Sequence, residues 1–215
     1  MVVVVDYGIC NVRSVVKALE LVGATVRVSS APRDLEEAER IVLPGVGAFE
    51  HGMTNLSARG LIEPLADQVL GKGKPFLGIC LGMQLLARTS HEFGVHEGLG
   101  WLPATVTAFA LEREGLSGEG STGRGLKVPH IGWTEVSLDR ASPLFAGVSK
   151  APSFYFVHSY HMVCDTTDLV AASAEYGVRF TAAVQRDNIF ATQFHPEKSQ
   201  DDGLRLLENF LQWQI

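Results

Sequence analysis

The first ninety residues alternate short aliphatic runs with stretches of helical periodicity, and this alternation restricts the fold more than any other feature. Val2–Val5 is β-branched at every position, which suits a strand covered on both faces. Val12, Val15, Val16, Leu19 and Val22 then recur at helical spacing, with Asn11 placed to cap and Gly23 to stop the helix. Thr25–Val28 reads as a second strand, Leu35–Arg40 as a short acidic helix, and Ile41–Leu43 as a third strand ended by Pro44. Leu61–Leu70 reads as a helix, Pro75–Ile79 as a fourth strand, and Leu81–Ala87 as the start of another helix. Such alternation predicts a parallel sheet with helices on both sides.

Beyond about residue 100 the long helical patterns stop. Ala104–Ala108, Thr134–Leu138, Ser153–Val157, Leu169–Ser173, Thr181–Gln185 and Ile189–Gln193 are strand-like, and Asp187-Asn188 suits a hairpin turn. These predict antiparallel or mixed additions to the same sheet. Leu204, Leu207, Phe210 and Leu211 predict a closing amphipathic helix, and the polar, Gly-rich stretch Glu112–Gly125 a mobile surface loop. No repeat or linker interrupts the chain. The expectation is one α/β domain over residues 1–215: an open, mostly parallel sheet flanked by helices, with antiparallel additions in the second half.

Composition narrows the function. A chain that is 46% hydrophobic buries a core, and 18 basic against 24 acidic residues leave no cationic excess to displace phosphate counterions. A nucleic-acid partner is therefore not expected. No apolar run reaches the ~18 residues of a membrane span, and Met1–Asp6 lacks the basic start of a signal peptide, so the expected location is cytoplasmic. Three scattered cysteines, Cys10, Cys80 and Cys164, give neither a disulfide framework nor a zinc ribbon.

The sharpest local feature is Gly78-Ile79-Cys80-Leu81-Gly82, where a buried strand runs into a helix. This strand–turn–helix pattern is that of a nucleophile elbow with sulfur in place of oxygen. The flanking glycines let strand and helix approach, a helix N-terminus beneath Cys80 favours thiolate, and the Leu81 N–H can meet a developing oxyanion. The competing reading is a structural cysteine between packing glycines. A thiolate nucleophile needs an imidazole. Of seven histidines, His195 in Phe194-His195-Pro196-Glu197 follows a strand end, and Glu197 is placed to orient its ring. Taken alone, that segment also fits a surface turn. The turn Pro44-Gly45-Val46-Gly47 can present backbone N–H groups to an anion but lacks the Lys of a phosphate loop. His158 and His161 lack a third metal ligand, so no metal or cofactor is expected. Cys10 and Cys164 read as packing residues, as do Trp101, Trp133 and Trp213.

Together these segments resemble class I glutamine amidotransferases over nearly the whole chain. The resemblance rests on the elbow with Met83-Gln84 after it, the Pro44–Phe49 loop, Asp6-Tyr7-Gly8 with Asn11 and Ser14, Pro129–Trp133, Phe156–His161 and Phe194–Ser199. Within the family these residues are most similar to the branch that feeds ammonia to a (β/α)8-barrel cyclase in histidine biosynthesis. The resemblance implies a triad of Cys80, His195 and Glu197, oxyanion donors at Val46, Gly47 and Leu81, and L-glutamine contacts at Gly45, Gln84, Glu92, Ser159 and Tyr160. Trp133 and Lys198 become interface residues by the same analogy. It further implies that the loop at Val46 reorients when the partner is engaged. Cys10, where glycine is usual, and Thr134, where asparagine is usual, depart from the pattern.

Other readings remain at this point. A cysteine peptidase or deglycase-like enzyme shares the elbow, and a glutaminase could serve anthranilate or pyridoxal phosphate synthesis. A non-enzymatic regulatory module could retain the fold.

Overall fold

The computed structural model describes residues 1–109 and 126–215. The predicted Glu112–Gly125 loop lies outside the described residues. In chain order the first half contains β1 (Val2–Val5), α1 (Val12–Leu21), β2 (Val26–Ser29), α2 (Pro32–Glu37), β3 (Arg40–Gly45), α3 (Phe49–Ala58) and α4 (Ile62–Ala66), which runs into a π-helical turn at Asp67–Gly71. Next come β4 (Phe76–Cys80), the one-turn α5 (Leu81–Gln84), the two-residue strands β5 (Thr89–Ser90) and β6 (His96–Glu97), and β7 (Ala104–Ala108). The remainder is β8 (His130–Leu138), β9 (Ser153–His158), β10 (Tyr160–Cys164), β11 (Val170–Tyr176), β12 (Val178–Arg186), β13 (Ile189–Thr192) and α6 (Gln200–Gln212).

Nine of these strands form one mixed sheet in the order β2-β1-β3-β4-β13-β12-β11-β8-β9. The half from β2 to β13 is parallel and the remainder antiparallel. The valines of β1 explain why this strand is apolar throughout. Val2 and Val4 join a core shared with α1 and α6, whereas Val3 and Val5 face the opposite core with α3 and α4. Strands β1, β3, β4 and β13 are thus covered on both faces, as the sequence predicted, while the edge strand β2 is partly exposed.

Several boundaries differ from the sequence expectation. β7 does not extend the main sheet: with β10, β5 and β6 it forms a second four-stranded sheet, because residues 160–164 turn away from β9 and pair with 104–108 instead. The α3 helix had no clear periodic signal. The predicted helix at 35–40 lies earlier, where Pro32 supplies a favourable first-turn residue, and Arg40 begins β3. Pro44 continues β3 instead of ending it. The partner strand β1 pairs only as far as Val42, so the missing N–H of Pro44 removes no ladder bond. Asn11 occupies the N-cap position of α1, but its side chain makes no capping hydrogen bond.

The α5 helix is much shorter than the predicted 81–87 run. The N–H groups of Leu86 and Ala87 bond to the carbonyls of Met83 and Gln84, in tight i→i+3 turns, while the Leu85 and Ala87 carbonyls accept from Leu99 and Gly100. The elbow itself is packed to backbone contact. A Cβ added at Gly82 would lie 1.8 Å from the Leu43 carbonyl oxygen. Gly82→Ala therefore costs stability on the order of 3 kcal/mol, because neither β3 nor α5 can shift without breaking the sheet. Thermal denaturation checks this, and an unchanged Tm contradicts it.

Candidate active site

Because β4 lies between parallel β3 and β13, the carboxyl ends of all three strands open at one place. Gly45 is in register with Cys80, and Ile79 with Thr192. The chain after β3 supplies Val46 and Gly47, β4 ends in Cys80, and the chain after β13 supplies Gln193 and His195. This is the crevice outside the strand ends where open α/β sheets bind ligands.

Cys80 is held at φ 54°, a left-handed conformation unusual for a residue with a Cβ. The close approach of Gly82 to β3 and Gly78 to α5 enforces this bend. The sulfur is nearly buried, lies 3.9 Å from the Val157 carbonyl oxygen, and accepts from Gln193 Nε2 at 3.7 Å. Beneath it, α5 has only four residues, so the helix dipole invoked at the sequence level is a fragment. The nearby imidazole is the stronger electrostatic partner.

His195 is 2% exposed, and its Nδ1–H donates to Glu197 Oε1 at 2.8 Å. Nε2 is buried without a hydrogen-bond partner, and the ring lines the same cleft as the sulfur. The segment is tightly stapled. The His195 N–H donates to the Tyr155 carbonyl, Ser199 Oγ donates to the His195 carbonyl at 2.6 Å, and Gly203 on α6 packs against the Pro196 carbonyl, where a Cβ would sit at 2.0 Å. Burial opposes protonation of His195. The Cys80 sulfur and, after it, the Glu197 carboxylate outweigh it and raise the pKa to about 9. A raised folded-state value means that stabilisation by the charged ring is complete below about pH 6.5. It is lost as pH rises through about 9. Since the sulfur makes the largest raising contribution, Cys80→Ala lowers the His195 midpoint in an NMR titration of its ring protons; an unmoved midpoint refutes the thiolate–imidazolium pairing.

Cys80, His195, Val46, Gly47, Leu81, Gln84, Glu92, Ser159 and Tyr160 share one cleft of about 380 Å3, together with Pro129, Val157 and His158. Gly45 and Glu197 stand behind this wall. The Gln84 amide is fixed, donating to the Tyr160 carbonyl and to Gln193 Oε1, both at 2.9 Å. Glu92 Oε2 accepts from the Phe49 N–H at 2.6 Å at the start of α3. As the first residue of α5, Leu81 has no intrahelical acceptor for its N–H. The Val46 N–H, by contrast, donates to the Ile9 carbonyl at 3.0 Å and is turned away from an oxyanion. Trp133 and Lys198 lie outside the cleft on one exposed surface, joined by Tyr155. Trp133 packs edge-on to its ring at 6.2 Å and the Lys198 ammonium lies 5.7 Å from its centroid.

The sequence reading gave no role in the cleft to Gln193, His158 or His130. Gln193 stands two residues before His195, and its placement directly after a buried strand was the available signal. His158 was weighed only as a metal ligand. Among the described residues no cluster of three or more His, Cys, Asp or Glu residues is arranged to hold a metal, and no helix is long and apolar enough to cross a membrane. Burial first, then neighbouring acids, push the Cys10 and Cys164 thiols up to about 11.

A strained cysteine, a carboxylate-oriented imidazole and a glycine loop converging on one cleft can perform acyl transfer. The chain belongs to the class I glutamine amidotransferase family, whose sequence model matches residues 3–213. It is 50% identical over 209 residues to imidazole glycerol phosphate synthase subunit HisH of Geobacter sulfurreducens, covering 97% of both chains. It is 49% identical over 210 residues to the subunit of the same name from Syntrophotalea carbinolica, covering 98% of both. Among solved structures, its fold is similar to that of PurLQS from Thermotoga maritima, with a TM-score of 0.72 at 20% identity over 98% of this chain and 97% of the other.

Proposed function

We propose that residues 1–215 form one amidotransferase domain that acts as the glutaminase subunit of imidazole glycerol phosphate synthase in histidine biosynthesis. The observation that carries the chemistry is the meeting of Cys80 with the His195–Glu197 pair in one cleft. Near-full-length relatives at about half identity carry the choice of pathway over anthranilate or pyridoxal phosphate synthesis.

In this reading the Cys80 thiolate attacks the side-chain carboxamide of L-glutamine. The C–N bond breaks as His195 gives its Nε2 proton to the leaving ammonia, leaving a γ-glutamyl thioester on Cys80. Water, deprotonated by His195, then cleaves the thioester to glutamate. Glu197 holds the ring tautomer and stabilises its charge. Gln84, Glu92, Ser159 and Tyr160 bind the substrate, with Gly45 shaping the wall behind the oxyanion loop. No cofactor is required.

Ammonia released to water at neutral pH becomes ammonium, which is not a nucleophile. A partner must receive it directly, and the reading assigns this role to a (β/α)8-barrel cyclase. The surface around Trp133, Tyr155 and Lys198 lies immediately behind the stapled His195 segment, so docking there borders the triad. Reconstitution tests the assignment. Glutamate release by this chain rises on addition of the barrel cyclase and its nucleotide ligand, and the pair forms imidazole glycerol phosphate from glutamine. Stimulation by an anthranilate or pyridoxal phosphate synthase instead would overturn it.

A further inference from the structure

We infer that the buried pair His130–His158 is a positioning device for the glutamine cleft, anchored outside by Thr134 and inside by the Tyr160 carbonyl. The inference rests on the glutaminase reading. Its basis is a continuous run of hydrogen bonds. Thr134 Oγ1 lies 2.8 Å from His130 Nε2, His130 Nδ1 lies 3.0 Å from His158 Nε2, and His158 Nδ1 lies 2.8 Å from the Tyr160 carbonyl oxygen. That oxygen also accepts from Gln84, whose amide nitrogen donates to Gln193, which in turn donates to the Cys80 sulfur.

The direction of the run follows from its inner end. A carbonyl only accepts, so His158 carries its proton on Nδ1. Neutral His158 then presents Nε2 as an acceptor, which requires His130 to donate from Nδ1 and to accept at Nε2. Thr134 must supply that last proton from its hydroxyl. Burial holds both rings in the neutral form required, lowering His130 to about 4 and His158 to about 3. The His130 ring is clamped between Phe156 at 5.1 Å and Tyr176 at 4.1 Å, so it cannot turn to find other partners. Pairing within one antiparallel ladder sets His130 opposite His158, placing both rings on the same face.

Two consequences distinguish positioning from packing. The Ser159–Tyr160 wall is held by a polar chain whose outer end, Thr134, adjoins Trp133 on β8. The same carbonyl orients Gln84 and thus Gln193 against the sulfur. Loss of the chain therefore loosens substrate contacts before it destabilises the fold.

The test uses the complete complex with its barrel partner and ligand. His158→Phe keeps a ring in the core but removes both bonds; glutamine KM is expected to rise roughly tenfold, the equivalent of one or two hydrogen bonds, with a smaller fall in kcat. His158→Asn, whose amide can replace the Nδ1–H donor, restores most of the loss. Thr134→Val reproduces the effect and Thr134→Ser reverses it. NMR of the imidazole nitrogens shows Nδ1–H on both rings. A lowered Tm with unchanged KM in both the Phe and Val variants, or Nε2–H tautomers, overturns the inference. If His158→Phe fails to fold, the Thr134 pair and the tautomers decide. If the unaltered complex releases no glutamate, the functional reading fails instead, and the tautomers still report on the chain of bonds.

Discussion

Cys80→Ala is expected to remove glutamine hydrolysis while leaving synthesis from supplied ammonia intact. The substitution takes away the only atom that can form the thioester, and members of a triad act as a unit, so glutamate release falls by on the order of 10^4-fold or more. Little else should change. Cys80 is small and sits at the edge of the core, and alanine keeps the Cβ at the strained φ of 54°. In the proposed reading the ammonia-dependent reaction occurs on the partner subunit and needs this chain only as a docked body. Measuring glutamate release and cyclised product in the same reconstituted complex separates the two. Loss of both activities, with the complex still assembled, would contradict the proposed division of labour.

The second expectation concerns the free chain. With the Val46 N–H committed to the Ile9 carbonyl, the proposed oxyanion site keeps the Leu81 N–H but lacks that of Val46. One such donor contributes about 2.7–4 kcal/mol to the barrel-free barrier deficit, or 10^2–10^3 in kcat. Glutamine turnover by the isolated chain should therefore be slower by that factor than in the complex with its nucleotide ligand, and KM should change much less. Gly47, at φ +92°, already has the backbone freedom that a peptide reorientation at Val46 requires. Steady-state kinetics of chain and complex provide the comparison. Equal kcat values would show that the Val46–Ile9 bond does not limit the reaction.

The elbow was legible because its glycines are dictated by local contacts. Gly78 and Gly82 mark where a strand and helix touch, and a short reading frame contains both. His195 and Glu197 were legible because two residues of spacing let one side chain orient the other. Gln193 and the His130–His158 pair were not, since His130 meets His158 across 28 residues and Gln193 meets Gln84 and Cys80 across 109 and 113, and no periodicity records such a meeting. The second sheet was hidden for the same reason. Residues 160–164 pair with 104–108, and an alternating pattern states that a strand exists without naming its neighbour.

By itself the sequence determined which segments are strands buried on both faces, where the backbone must bend at Cys80, and which residue types were available for acyl transfer. These are properties of neighbours along the chain: side-chain branching, missing Cβ atoms and local spacing. Only the tertiary structure decided that β4 lies between β3 and β13, and therefore that Gly47, Cys80 and His195 share one cleft. It also decided that the Val46 N–H points at Ile9 instead of into that cleft. Strand order and peptide orientation depend on packing between distant segments, and that free energy is distributed over the whole core.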